Sequence, residues 1–150
     1  MKRETLSKKL GKNPLPTSKD ISKVMKSNKR NDSIPELILR KNLRRVGLKG
    51  YRKNYSKIPG SPDVVFISRK IAIFVNGCFW HRCPKCNLPL PKNNTEFWKV
   101  KFERNIERDR LKIQRLEDMG WTVIVIWECD IKKNIDEVLE RINFFFNLFD

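Results

Sequence analysis

The chain predicts an α/β fold, a single domain whose elements run α-β-β-β-α-β-α around a mixed sheet. Three observations predict it. Two short, nearly continuous apolar runs, Ile71 to Val75 and Val123 to Trp127, have the length and β-branched content of buried strands. The stretch between them carries a long helical periodicity, and helical patterns also open and close the chain. At 150 residues, one core is expected, and no internal repeat divides the sequence.

The first thirty residues stand apart. They hold ten Lys/Arg against two acids, a net of +8 and half the formal charge of +16, with Pro14 and Pro16 and few large apolar residues. Such a segment cannot bury a face by itself, so residues 1–30 are expected to be a flexible basic arm that orders on phosphates, or else a solvated tail. The domain proper is residues 31–150. Its first helix opens at Ser33, the N-cap, with Pro35 in the first turn and Glu36 placed to close a capping box. Leu39, Leu43 and Val46 then recur at helical spacing, and Gly47 stops it.

Gly50 to Lys57, basic with Tyr51 and Tyr55, reads as an edge strand, and Pro59-Gly60-Ser61-Pro62 is a break. Asp63 follows, then a hairpin: Val64 to Ile67, a three-residue turn Ser68-Arg69-Lys70, and Ile71 to Val75. That turn length places Asp63 opposite Val75. Phe97 to Met119 is a long helix with Phe102, Ile106, Ile113 and Leu116 on its apolar stripe and Asp109 in the missing slot; Gly120 ends it. A strand from Trp121 ends in Glu128-Cys129. Asn134 caps a last helix whose apolar face is Ile135, Val138, Leu139, Ile142, Phe145 and Phe149.

Strand, helix and strand from Ile71 to Glu128 make a βαβ unit, so the two strands should be parallel neighbours with adjacent C-terminal ends. Cys78 leaves one end and Cys129 the other, and Cys83-Pro84-Lys85-Cys86 is a C-x2-C knuckle. Four thiolates meeting there describe a structural zinc site of Cys78, Cys83, Cys86 and Cys129. Two disulfides, or four unrelated buried cysteines, are the alternatives, and His81 could replace one thiolate. Zn²⁺ is favoured because thiols inside a cell stay reduced.

Asp63 and His81, the only histidine, reach the same sheet edge, where ligands of open α/β sheets gather. Asp63 offers a hard oxygen for Mg²⁺, with the Val75 carbonyl as a second protein ligand, although an acid after Gly-x-Pro can equally make an Asx turn. His81 suits a general base. Asp109 could orient it or form a buried salt bridge, and Glu36 either holds a water on the metal or only caps its helix. Phe79, Trp80 and Trp98 are candidates for wedging between base pairs, with packing around the zinc as the alternative.

A charge of +16 exceeds what solubility needs and makes a polyanion the expected partner, nucleic acid first. No apolar run approaches the roughly 20 residues of a membrane span, and no apolar signal core opens the chain, so a cytoplasmic protein, not secreted, is expected.

On these residues the chain resembles the very short patch repair (Vsr) DNA mismatch endonuclease family. The resemblance rests on Pro35-Glu36-Leu37 with Leu39-Arg40; Pro59 to Asp63; Phe74-Val75-Asn76-Gly77-Cys78-Phe79-Trp80-His81; Thr95 to Trp98; Asn105 with Arg108-Asp109; and Gly120-Trp121 on to Cys129. It implies a restriction-endonuclease-like core, a structural zinc, and Mg²⁺-dependent nicking of one strand of double-stranded DNA at a T:G mismatch left by deamination of 5-methylcytosine. Asp63 resembles the family's metal-binding aspartate, His81 its catalytic histidine, Glu36 its helix glutamate and Asp109 the acid paired with the site. Phe79, Trp80 and Trp98 resemble its intercalating aromatics. A monomer working near the nucleoid, with a functional link to a cytosine-5 DNA methyltransferase and repair proteins, is also expected. Asn76 stands where many relatives carry a second histidine, and Cys83 and Cys86 replace a histidine-rich stretch. A same-fold nuclease cutting undamaged DNA for restriction or a mobile element, and a non-catalytic zinc-stabilised DNA-binding module, are the rival readings.

Overall fold

The computed structural model describes residues 31–148. The expected basic arm, residues 1–30, and Phe149 lie outside them. Helix α1 (Ile34–Arg45) starts where the capping signals predict: the Ser33 hydroxyl accepts from the Glu36 N–H at 3.4 Å, and the Asp32 N–H donates to Glu36 Oε2 at 3.1 Å. Gly47, at φ +85°, lies just past its end.

Four strands follow in the order β1 (Arg52–Lys53), β2 (Val64–Phe66), β3 (Ile71–Asn76) and β4 (Thr122–Trp127) across one mixed sheet. β1–β2 and β2–β3 are antiparallel, and β3–β4 is the expected parallel pair, in register from Ile71↔Thr122 to Asn76↔Trp127. The hairpin register differs by one from the sequence reading. Ile67 leaves the strand to start a single 3-10 turn, Ile67–Arg69, and Lys70 takes a left-handed φ of +51°, so four residues connect the strands. Val64 therefore faces Ile73, and Asp63 is reached by a side-chain bond to Val75 rather than by direct pairing.

Side chains alternate across β3, and each face finds a different cover. Ile71 and Ile73, with Ile124, Ile126, Val64 and Phe66, pack against Leu39 and Leu43 of α1 and against two C-terminal helices, α3 (Glu128–Lys133) and α4 (Ile135–Asn147). Ala72 and Phe74 face Leu116 of the long helix α2 (Thr95–Asp118). The sheet is thus sandwiched between helical layers. Glu128 and Cys129, expected to end the strand, instead begin α3, which turns Cys129 across the sheet edge.

Two helix faces are corrected. On α4 the deeply buried aromatic is Phe146, stacked edge-on to Phe66 at 4.6 Å, while Phe145 is only partly buried. On α2 the inward seam runs Trp98, Phe102, Asn105, Asp109, Lys112, Leu116, apolar at both ends and polar in the middle; Ile106 lies off it and is 50% exposed. The middle of the seam passes beyond the sheet's edge, where it meets polar groups rather than core.

Candidate active site and metal centre

The parallel pairing sets the end of β3 beside the end of β4, and two sites are built on that edge. In the first, Cys78, Cys83, Cys86 and Cys129 gather as predicted, their Sγ atoms all within 4.8 Å of one another and none in a disulfide. Cys83 Sγ lies 3.7 Å from Cys129 Sγ. Four thiolates about 2.3 Å from a central ion define a tetrahedron with edges of about 3.8 Å, so the cluster has the size of a metal-thiolate site. Burial among its neighbours pushes the Cys78 thiol up, which a bound cation would reverse. The knuckle is fastened to α3 by an ion pair between Lys85 and Asp130. His81 is not a member of this cluster.

His81 belongs to the second site. Its Nδ1 lies 2.5 Å from Asp109 Oδ2, which leaves Nε2 as the nitrogen able to exchange a proton with a substrate. Asp109 Oδ1 takes an ion pair from Lys112 Nζ at 2.9 Å. Burial opposes ionisation of Asp109, but the His81 bond and Lys112 outweigh it and hold the carboxyl below its ordinary range. Two bonds hold the backbone that carries the ring: the His81 N–H donates to the Gly77 carbonyl at 3.1 Å, and the Asn105 side-chain amide, from α2, donates to the Trp80 carbonyl at 3.1 Å.

Across the opening, Asp63 Oδ2 accepts the Val75 N–H at 2.7 Å, leaving Oδ1 for a cation. Burial pushes the Asp63 carboxyl up to about 6, against the Val75 bond that lowers it, and the nearby Glu36 charge adds to the rise. Two crowded, largely buried carboxylates form a hard-oxygen wall suited to a small dication. Glu36 is 4% exposed and anchored by Ser33 and by Arg40 at 3.4 Å, so its capping role and its place in the wall coexist. Glu36, Asp63, Val75, Asn76 and His81 line one cavity of about 1140 Å³.

Aromatics flank that cavity. Phe79 and Trp80 are half-buried and stack edge-on at 5.1 Å, whereas Trp98 is 2% exposed beneath them, 5.9 Å from Trp80. Lys101 Nζ sits 5.2 Å from the Trp80 ring, and Arg82 covers Phe102 at 4.4 Å.

Sequence reading gave Arg40 no pairing with Glu36 and missed Lys112. Both were discoverable as cations one helical turn after a candidate acid, Arg40 four residues past Glu36 and Lys112 three past Asp109.

The family model described as DNA mismatch endonuclease Vsr matches residues 16–88. A type II nicking enzyme, V.NaeI of Lentzea aerocolonigenes, is 39% identical over 123 residues, 79% of this chain and 73% of the relative. V.NmeDIP, a type II nicking enzyme of Neisseria meningitidis serogroup C, is 41% identical over 130 residues, 84% of this chain and 85% of the relative. The chain belongs to the Vsr DNA mismatch endonuclease family. The Escherichia coli DNA mismatch endonuclease Vsr is 40% identical over 92 residues, 59% of each chain. As a member of the Vsr family the protein is a DNA endonuclease, and among its described residues no helix is long and apolar enough to cross a membrane.

Proposed function

We propose that this endonuclease nicks one strand of double-stranded DNA at or beside a T:G mismatch left by deamination of 5-methylcytosine. The observation that carries the reading is one cavity walled by Asp63, Glu36 and a His81 held by Asp109, with Phe79 and Trp80 at its side. In this reading Asp63 Oδ1 and the Val75 carbonyl would hold Mg²⁺, and Glu36 would orient a water beside them. When bound there, Mg²⁺ supplies positive charge against the scissile phosphate and acidifies the attacking water. His81 takes that water's proton at Nε2, and Asp109 stabilises the imidazolium that forms. The four thiolates would hold Zn²⁺ in a structural role, fastening the loop that carries His81.

Phe79 and Trp80 enter the base stack, where the cost of unstacking falls at a mispaired step. Trp98 joins the wedge by turning out from beneath them. The +16 charge draws the duplex in. A monomer acting in the cytoplasm near the nucleoid, alongside a cytosine-5 DNA methyltransferase and repair proteins, completes the proposal.

The test is nicking of matched, T:G-mismatched and methylated duplexes with Mg²⁺. Nicking confined to T:G is expected, leaving a 5′-phosphate, and Asp63→Ala should abolish it while sparing most binding. The relatives called type II nicking enzymes support cleavage of one strand; equal nicking of matched and mismatched duplexes would select the rival reading, cleavage of undamaged DNA. No cleavage with Mg²⁺ or Mn²⁺ would leave only a DNA-binding module.

A further inference from the structure

Lys112 occupies a core-facing position of the α2 seam, between Asp109 and Leu116, yet it is charged. Its side chain is 20% exposed, and its ammonium lies 4.2 Å from the centre of the Phe74 ring. The stem is gripped from the other side by Gly60. A Cβ at that glycine, whose φ is +79°, would come within 2.8 Å of Lys112 Cδ.

Its Nζ meets Asp109 Oδ1 at 2.9 Å while Oδ2 of the same carboxylate meets His81 Nδ1 at 2.5 Å. Lys112 also acts electrostatically on Asp63. A carboxylate held at both oxygens is fixed in plane and rotamer, and an imidazole bonded to it is then fixed in tautomer, with the proton on Nδ1. A carboxylate held by histidine alone can turn about its Cβ–Cγ bond and release the ring.

We infer that Lys112 is a positioning residue: by locking Asp109 it holds His81 in the Nδ1–H tautomer, with Nε2 as the proton acceptor. The kinetic consequence rests on the proposed nicking reaction; the structural consequence does not. Lys112 touches no reacting atom in this assignment and acts through Asp109.

Lys112→Met keeps the stem against Phe74 and Gly60 and removes the charge. With a T:G duplex, kcat should fall roughly tenfold or more, the usual size for loss of a group supporting a site ligand or base, while KM changes little. Added to Asp109→Asn, the same substitution should cost nothing further, because the group it acts through is already gone. Full activity in Lys112→Met, a loss confined to KM, or two losses that multiply would overturn the assignment in favour of a direct phosphate contact or no role. The chain has one histidine, so its imidazole ¹⁵N NMR signals report this site alone and need no substrate. At fixed pH, wild type should show a single Nδ1–H tautomer with a slowly exchanging proton, and Lys112→Met a tautomer mixture with faster exchange. Identical spectra would sink the inference even if wild type cleaved no duplex, whereas a changed spectrum in an inactive wild type would overturn only the nicking proposal.

Discussion

β3 and β4 are joined by six consecutive paired positions, whereas residues 77–94, which leave the end of β3, contain no helix or strand. The first region is held by backbone and by side chains that are interchangeable in kind: Ile73, Ile124 and Ile126 are fully buried and purely apolar. The second is held by particular side chains, four thiols, the Asn105 bond to Trp80 and the His81–Asp109 pair. Loss of one methylene group in the sheet removes a few contacts among many. Loss of one ligand in the loop removes the reason for its shape. The second region carries His81 and three of the four cysteines, and the first sets where it starts.

The largest expected effect separates the two. Stripping metal with a strong chelator should remove hydrogen-exchange protection from residues 77–94 and abolish nicking, while β3 and β4 stay protected; metal binding to such ligand sets is worth roughly 10 kcal/mol in small zinc peptides. Simultaneous loss of protection in both regions would erase the distinction. The converse is Ile124→Ala, which should cost about 2–5 kcal/mol in denaturant unfolding and lower the stability of the whole domain without altering the metal stoichiometry of the folded fraction.

Asp63→Asn sharpens the comparison at the boundary between the regions. With a folded-state pKa of about 6, above the ordinary 3.8, the native protein binds this proton more tightly than the unfolded chain does. The metal-free protein therefore loses stability as pH rises from about 4 through 6. The substitution removes the buried charge, so metal-free Asp63→Asn should be more stable than wild type at pH 8 by up to about 3 kcal/mol, and inactive. Equal stabilities across that pH range would place Asp63 in a better-solvated setting. The smallest effect is Asn134→Ala. Its side chain accepts the Glu137 N–H at 3.3 Å at the start of α4, and thermal unfolding should register about 1 kcal/mol, with the loop and its activity untouched.

The starts of α1 and α4 and the parallel pair were legible because caps, stops and apolar runs are local signals, whereas α3, read as the end of a strand, was not. Ser33, Gly47 and Asn134 all act where their sequence context says, and the convergence of the four cysteines followed once a βαβ crossover was recognised. The hairpin register was not legible, since a 3-10 turn at Ile67–Arg69 and a left-handed Lys70 decide it and neither residue type demands that conformation. The seam of α2 was misread for a related reason: Ile106 looks like core by its apolarity, but position on the helix, not apolarity, chooses which residues face the sheet's end.

By itself the sequence determined most of the element order and the convergence of Cys78, Cys83, Cys86 and Cys129, and it offered Asp63, His81, Glu36 and Asp109 as candidate site residues, because residue type, spacing and family resemblance carry that information. Only the tertiary structure decided how they are held. It gave Asp63 to the Val75 N–H, Asp109 to His81, and Trp98 to the interior beneath Trp80. The reason is physical: the polar partners lie 12 and 28 residues apart in sequence, so only the packing of distant segments brings them within hydrogen-bond distance.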